Sequence, residues 1–327
     1  MLAGWFEKTG PAHDVIQVGE METPKAGAGE VLVRLHASGI NPSDYKRRAN
    51  VKASPEFPRV VPHSDGAGIV EAIGAGVSDF KIGDRVWAYN AQWARPFGTA
   101  AEYVSLPARY VRLLPSNTSF EQGACLGIPA MTAYHATHIA GSLKGKTVYV
   151  PGATGRVGAY AVQFAKWRGA RVIASTGGGE ASAKIIRDLG ADVVLDRKSA
   201  DLAQQILKET GNRGVDHIVE VDLPGSMQFD ESILAERGAI VSFGAASAPT
   251  VSVTQTGRRA RNMSLHFIFI YMLDEAGFEA TCAGVTQAAA EGALQHRIGA
   301  TFPLAKLADA HHHAETTSGT GHIVVTM

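Results

Sequence analysis

The chain has 327 residues, with 31 Lys plus Arg against 31 Asp plus Glu, and 45% of its side chains are hydrophobic. That length supports two domains and a sizeable core, and the charge balance argues against nucleic acid or an anionic membrane surface as a partner. No apolar run approaches the roughly 20 residues that cross a bilayer, "MLAGWFEKTG" lacks a secretory pattern, and two cysteines, Cys125 and Cys282, are too few for a disulfide framework or a structural zinc, so a cytoplasmic, reducing setting is expected.

The first third carries "EVLVRLHASGI", "GAGIVEAIGAG", "GDRVWAY", "AEYVSLP" and "YVRLLP", short β-like runs punctuated by Gly and Pro that predict a mostly β domain. Two polar stretches interrupt it. "SGINPSDYKRR" (38–48) holds Asn41, Tyr45 and Lys46, for which the plain alternatives are turn capping before Pro42 and a solvated basic loop at Lys46, Arg47 and Arg48. "VVPHSDGAGIVEAIG" (60–74) sets His63, Ser64 and Asp65 side by side, which raises a metal site or an activated serine. The serine reading fails, because adjacent side chains of an extended segment diverge and no G-x-S-x-G elbow is present.

From Leu113, "LLPSNTSFEQGACLGIPAMTAYHATHIAG" reads as a long helical pattern divided by Pro129. From Thr147 the chain alternates: strands "TVYV", "RVIAST", "DVVLD", "DHIVEV" and "AIVSFG", and between them helices "RVGAYAVQFAKWRG", "SAKIIRDLG", "ADLAQQILKETG" and "SMQFDESILAERG". Such alternation predicts an α/β, Rossmann-type doubly wound parallel sheet. "LHFIFIYML" (265–273) reads as an apolar edge strand that needs covering, as subunit contact and pocket wall. Two helices, "AGFEATCAGVTQAAAEGAL" and "LADAHHHAE", and a strand, "HIVVTM", close the chain. His311, His312 and His313 would spread around their helix on its surface and not converge on one ion, and Cys125 and Cys282 read as core thiols.

The most informative segment is "TVYVPGATGRVGAYAVQFAK" (147–166). Its glycines Gly152, Gly155 and Gly158 are spaced G-x-x-G-x-x-G, a departure from the usual G-x-G-x-x-G. The physical roles survive: Gly152 turns the chain, Gly155 lets backbone approach a pyrophosphate, and Gly158 lets helix pack against strand. A dinucleotide would then meet free N–H groups and a helix dipole. An NAD site usually places an acid at the tip of the second strand. Here the tip is Ser175, Thr176 and Gly177, with Lys184 and Arg197 beyond, so NADPH is the expected cofactor; Glu180 is the one dissenting acid.

With these residues in place the chain resembles the medium-chain dehydrogenase/reductase superfamily, and within it the zeta-crystallin-like quinone oxidoreductases. The likeness is carried by "SGINPSDYKRR", "VVPHSDGAGIVEAIGAGVSDFKIGDRVWA", "GACLGIPAMTAYHA", "PGATGRVGAYAVQFAKWRGA" and "GTGHIVVTM". It implies a chaperonin-10-like (GroES-like) mostly β catalytic domain over 1–118, an NADP-binding Rossmann domain over 119–268, and a return to the first domain over 269–327. It implies a homodimer or homotetramer.

The resemblance also implies the absence of a metal. Zinc members carry Cys at the position of Asn41 and Gly-His-Glu where this chain has His63, Ser64 and Asp65, so an amide and a hydroxyl replace thiolate and imidazole. Without a Lewis acid, hydrogen-bond donors must stabilise developing charge. That favours a quinone or an α,β-unsaturated carbonyl as acceptor. By resemblance Asn41 is a catalytic residue, while the family tyrosine falls on Lys46, with Tyr45 one place early. Cofactor contacts carry over to Thr132, to Gly152, Thr154, Gly155, Arg156, Val157 and Gly158, to Thr176, Gly177, Lys184 and Arg197, to Phe243, Gly244 and Ala245, and to Phe267, Ile268 and Phe269. A family Asn on the adenosine side falls near Pro224, which lacks its amide. The alternatives are an enoyl or 2-alkenal reductase, and a low-turnover NADPH-binding structural or RNA-associated protein.

Overall fold

The computed structural model describes residues 1–244, 246–253, 261–317 and 321–327. They form two compact units, one of Met1–Pro129, Cys282–Gly292 and His296–Met327, the other of Ala130–Thr281 and Ala293–Gln295. No described helix is long and apolar enough to cross a membrane. Cys125 and Cys282 are buried, and neither is in a disulfide.

The first unit is mostly β. Strands β1 (Leu2–Trp5) and β2 (Gln17–Glu20) pair antiparallel. The main sheet contains β3 (Glu30–Ile40), β4 (Asp65–Ile73), β5 (Arg85–Ala88), β6 (Tyr103–Pro107), β7 (Val111–Leu113), β14 (Ile298–Pro303) and β15 (His322–Thr326), ordered β14-β15-β3-β4-β5-β7 with β6 on β3. β3 changes partner along its length: Glu30–Arg34 face β6, and Ala37–Ile40 face β15. Its pairing with β4 shifts register twice, at Leu32/Val33 and, between the two partners, at Leu35/Ala37. Alternate residues Val31, Val33 and Leu35 bury with Val70, Val86, Val104 and Leu106 in one core, at roughly 1.5–3 kcal/mol per fully buried aliphatic side chain. On the other face Ile40, Val61, Leu307, Ile323 and Val325 form a second core.

Helices α1 (Ala12–Val15), α2 (Pro42–Ala49), α3 (Phe120–Gly123) and α10 (Leu307–Thr316) decorate this sheet. α2 starts where its sequence says it should. Pro42 occupies the first turn, and Asp44 Oδ2 accepts the Asn41 N–H at 2.6 Å. The segment "KRR" is thus helix, not loop.

The long helical pattern after Leu113 breaks earlier than its proline. α3 ends at Gly123, a π turn spans Leu126–Ala130, and α4 (Met131–His138) follows. The non-helical residue is Gly127 (ψ −118°), not Pro129. A Cβ on Gly127 would lie 2.1 Å from Asp65 Oδ1, so the chain is turned by a buried carboxyl that only glycine admits.

The second unit is the doubly wound sheet that the alternation predicts. Strands β8 (Thr147–Val150), β9 (Arg171–Thr176), β10 (Val193–Asp196), β11 (Val215–Glu220), β12 (Leu234–Ser242) and β13 (Ser264–Phe267) run parallel in the order β10-β9-β8-β11-β12-β13. Helices α5 (Arg156–Trp167), α6 (Gly179–Asp188), α7 (Leu202–Glu209) and α8 (Leu223–Ile233) connect the strands, and α9 (Glu275–Ala290) follows β13. One element differs from its expected extent. "SMQFDESILAERG" reads as helix through Gly238, but Leu234 already pairs with Val215 and Arg237 sits at φ 58°. Burial of Leu234 and Ala235 against the sheet overrides the helical propensity of Leu-Ala-Glu-Arg.

Candidate functional site

In the second unit the strand order reverses between β8 and β11, which opens a crevice at the C-terminal ends of the strands. The glycine turn lies there. Gly152 takes φ 61°, a left-handed conformation suited to glycine, and Gly155 is the N-cap of α5. A Cβ on Gly158 would come within 2.5 Å of Gly152 O and 3.0 Å of Ala153 Cα, so the helix start presses directly on the turn. Around Gly155 the same probe meets only Gly152 O at 3.2 Å, which leaves its face open. Thr154, Arg156 and Val157 are half-buried in the same turn, where the first N–H groups of α5 have no partner within the helix.

The neighbouring strand ends bring most of the other sequence-predicted positions together. Thr176 Oγ1 accepts the Gly178 N–H at 3.1 Å, and Arg197 N–H donates to Thr176 O at 3.0 Å. Phe243 N–H donates to Glu220 O and Ile268 N–H to Ser242 O, so Phe243, Gly244 and the 267–269 segment follow the ends of β12 and β13. A Cβ on Gly244 would overlap Val221 O. Ile268 is buried, whereas Phe267 and Phe269 are 67% and 55% exposed. Thr132 is buried in the first turn of α4. Ala245 lies outside the described residues. Lys184 sits apart, exposed in the second turn of α6 with its ammonium 2.7 Å from Asp188. Glu180 is ion-paired with Arg187.

A cavity of about 380 Å³ lies beside the glycine turn, with Gly152, Tyr149, Arg197, Glu220, Asp222 and Asp230 in its wall. Glu220 and Asp230 form a buried carboxyl pair that sequence reading did not single out. Burial first, then the Glu220 charge, lifts Asp230 to about 8, and burial also raises Glu220. Glu220 Oε1 accepts Asp222 N–H at 2.6 Å and Asp230 Oδ2 accepts Ser226 Oγ at 2.9 Å. The remaining oxygens, Glu220 Oε2 and Asp230 Oδ1, are buried without a hydrogen-bond partner, a setting that disfavours charge on both carboxyls at once.

In the first unit the Asn41 amide, at the N-cap of α2, meets a carboxyl at the start of β4. Nδ2 donates to Asp65 Oδ2 at 2.7 Å, and Ile128 N–H donates to the same oxygen at 2.9 Å. Asp65 is fully buried. Desolvation holds its carboxyl well above the usual range, against the pull of those two donors, and nearby Asp44 adds to the rise. Tyr45 packs half-buried on the Ile40–Leu307 core, and Lys46 is exposed. Arg47 bonds Gln92 at 2.9 Å. Arg48 corrects the solvated-loop reading: it is fully buried, donates to Gly10 O and pairs with Glu315, and burial draws its guanidinium down to about 10.

His63 also differs from expectation. Its backbone is left-handed (φ 79°), not extended. Its Nδ1 lies 2.7 Å from Ser38 Oγ and its Nε2 lies 2.9 Å from His311 Nε2. His311 is therefore interior, whereas His312 is exposed and His313 half-buried. The chain of donors fixes the tautomers. Thr99 Oγ1 donates to Asp65 O at 2.6 Å, so Ser38 donates to Thr99 and accepts from His63 Nδ1–H. His311 Nε2–H then donates to His63 Nε2. Desolvation depresses both rings, His63 to about 3, so both are neutral.

This donor set does not fit a catalytic zinc. Both His63 nitrogens and the Asn41 amide are committed to hydrogen bonds, and an amide and the Ser64 hydroxyl stand at the remaining positions. Among the described residues no group of three or more His, Cys, Asp or Glu is placed to hold a metal.

Residues 27–116 match the alcohol dehydrogenase GroES-like domain, and residues 157–286 match the zinc-binding dehydrogenase domain. A quinone oxidoreductase of Pongo abelii is 32% identical over 325 residues, 98% of this chain and 96% of its own length. Among solved structures, a mycobacterial quinone oxidoreductase superposes with a TM-score of 0.87 at 30% identity, over all of both chains. A mycobacterial structure complexed with NADPH superposes with a TM-score of 0.83 at 29% identity, again over all of both chains.

Proposed function

We propose, since this chain belongs to the quinone oxidoreductase family of the medium-chain dehydrogenase/reductase superfamily, that it is a zinc-independent, NADPH-dependent reductase of quinones or conjugated carbonyls. The observation that carries this reading is the strand-end crevice, where a glycine turn opens beside the tip of β9, Arg197 and Lys198 lie over Gly177, and Glu180 is ion-paired with Arg187. A dinucleotide's pyrophosphate fits the open face of Gly155 and the start of α5. Bound NADPH supplies the electron pair and hydrogen that, with one proton, convert a quinone to its hydroquinone. Thr132, Phe243, Gly244 and Ile268 are the side chains and backbone that orient its nicotinamide half.

Asn41 acts as the donor to the acceptor oxygen. One amide hydrogen is spent on Asp65, and the other is left to bind charge that grows on the substrate. Such a donor, weaker than a metal, suits an anion delocalised over a ring or enone. Lys46, exposed on the same helix, or solvent delivers the proton; Tyr45, packed on the core, positions α2. The protein is cytoplasmic and assembles as a homodimer or homotetramer. The exposed Phe267 and Phe269 at the β13 edge, and Met272 at 69% exposure, support burial against another subunit.

The test is the fall in NADPH absorbance with a panel of quinones, 2-alkenals and simple alcohol–ketone pairs. Turnover with quinones above the other classes is expected. Exclusive turnover with alkenals would move the assignment to a C=C reductase, and tight NADPH binding without turnover would remove the enzyme reading altogether.

A further inference from the structure

We infer that Lys198, with Arg197, selects a dinucleotide carrying a 2′-phosphate; this rests on the cofactor reading above and names the residues that discriminate within it. Both residues stand in the turn that follows β10, and Arg197 N–H fastens that turn to Thr176 O at 3.0 Å. The tip of β9, where Thr176 and Gly177 lie, is where the adenosine ribose hydroxyls meet a dinucleotide-binding sheet. The two side chains lie over Gly177: a Cβ there would be 3.3 Å from Lys198 Cε and 3.7 Å from Arg197 Nη2. With no side chain on Gly177, nothing separates the cations from a ligand at that backbone.

Neither side chain pairs with a carboxylate among the described residues, whereas the neighbouring Lys166, Arg171, Lys184 and Arg187 pair with Asp192, Glu209, Asp188 and Glu180. The nearest acid in the chain, Asp196, accepts the Lys198 backbone N–H at 2.9 Å, so it holds the turn. Arg197 also forms part of the cavity wall that contains Gly152, so its guanidinium and the glycine turn border one space. Two adjacent cations over bare backbone match a phosphate monoester dianion, which takes a forked guanidinium and a point-charge ammonium together. A ribose 2′-hydroxyl, which prefers an acceptor, gains nothing from either.

The experiment is calorimetric titration of the full chain, with adenosine 2′,5′-bisphosphate and with 5′-AMP, in wild type, Lys198→Ala and Lys198→Arg. Lys198→Ala is expected to weaken the bisphosphate about tenfold to a hundredfold, the range for a hydrogen bond to a charged group. 5′-AMP should stay within about twofold, and Lys198→Arg should restore most of the bisphosphate affinity, because a guanidinium also serves a phosphate. Equal loss of both ligands in Lys198→Ala, or an unchanged bisphosphate affinity, overturns the assignment of Lys198 while the cofactor reading stands. Failure of the wild type to bind either ligand removes both.

Discussion

The glycine turn of the second unit and the Asn41 network of the first do their work by opposite means. The turn is contiguous backbone: eight residues from Pro151 to Gly158 create the bend, the open face and the helix start. The network is side chains from separate segments: Asn41, Asp65 and Ile128 converge on one carboxyl, while Ser38, His63, Thr99 and His311 form one chain of donors. Local geometry tolerates little change in one position. A distributed network instead fails by leaving a buried partner unsatisfied.

The largest effect expected from this difference is at Gly158. Gly158→Val places branched carbon where a Cβ already meets backbone at 2.5 Å. Neither backbone can yield, so NADPH binding should fall by more than about a hundredfold, with roughly 1–3 kcal/mol of stability lost to overpacking. Calorimetry with NADPH and a thermal melt read both; an unchanged Kd would show that the turn does not meet the cofactor.

Next is Asp65. Asp65→Ala strands the Asn41 amide and the Ile128 N–H, at about 1–3 kcal/mol for each buried unsatisfied group. Quinone reduction should drop by about tenfold or more in kcat/KM as Asn41 loses its orientation. Asp65→Asn keeps an acceptor of the same shape, and burial already disfavours the charge it removes, so it should lose much less. If Asn and Ala variants behave alike, the carboxyl's charge and not its shape positions Asn41.

The smaller effects concern pH and have opposite signs. Folded His63 refuses a proton until about pH 3, whereas an unfolded chain takes one near its ordinary 6.5. Its share of stability is complete above pH 6.5 and declines as pH falls toward 3. His63→Asn should therefore be less stable than wild type at pH 7.5 and lose less on acidification to pH 5. Folded Asp230 keeps its proton to about pH 8, against an ordinary 3.8. Its share is complete below about 3.8 and declines as pH rises through 8, so Asp230→Asn should flatten the loss of stability between pH 5 and pH 8. Urea midpoints at these pH values check both; parallel curves for wild type and either variant would refute the corresponding burial argument.

The sheet, its order of β and α elements and the glycine turn were legible because each depends on residues near one another: alternation of Val/Ile strands with helices, and glycines three apart. Two local readings gave way to packing. Leu234–Gly238 has helical residues but pairs with β11, and the break before α4 occurs at Gly127 because the Asp65 carboxyl occupies the space. Among site positions, Lys184 stood on the expected helix, yet Asp188 one turn later holds it, while Lys198, beside Arg197 in the sequence, lies over Gly177.

By itself the sequence determined the doubly wound sheet and the glycine turn, since propensity, periodicity and glycine geometry act over a few residues. Only the tertiary structure decided that Asn41 answers to Asp65, that His63 bonds His311 across 248 residues of chain, and that burial beside Glu220 raises Asp230. Those pairings are set by which strands and helices fold against each other, and hydrogen-bond partners brought together in that way carry no signature in residue spacing.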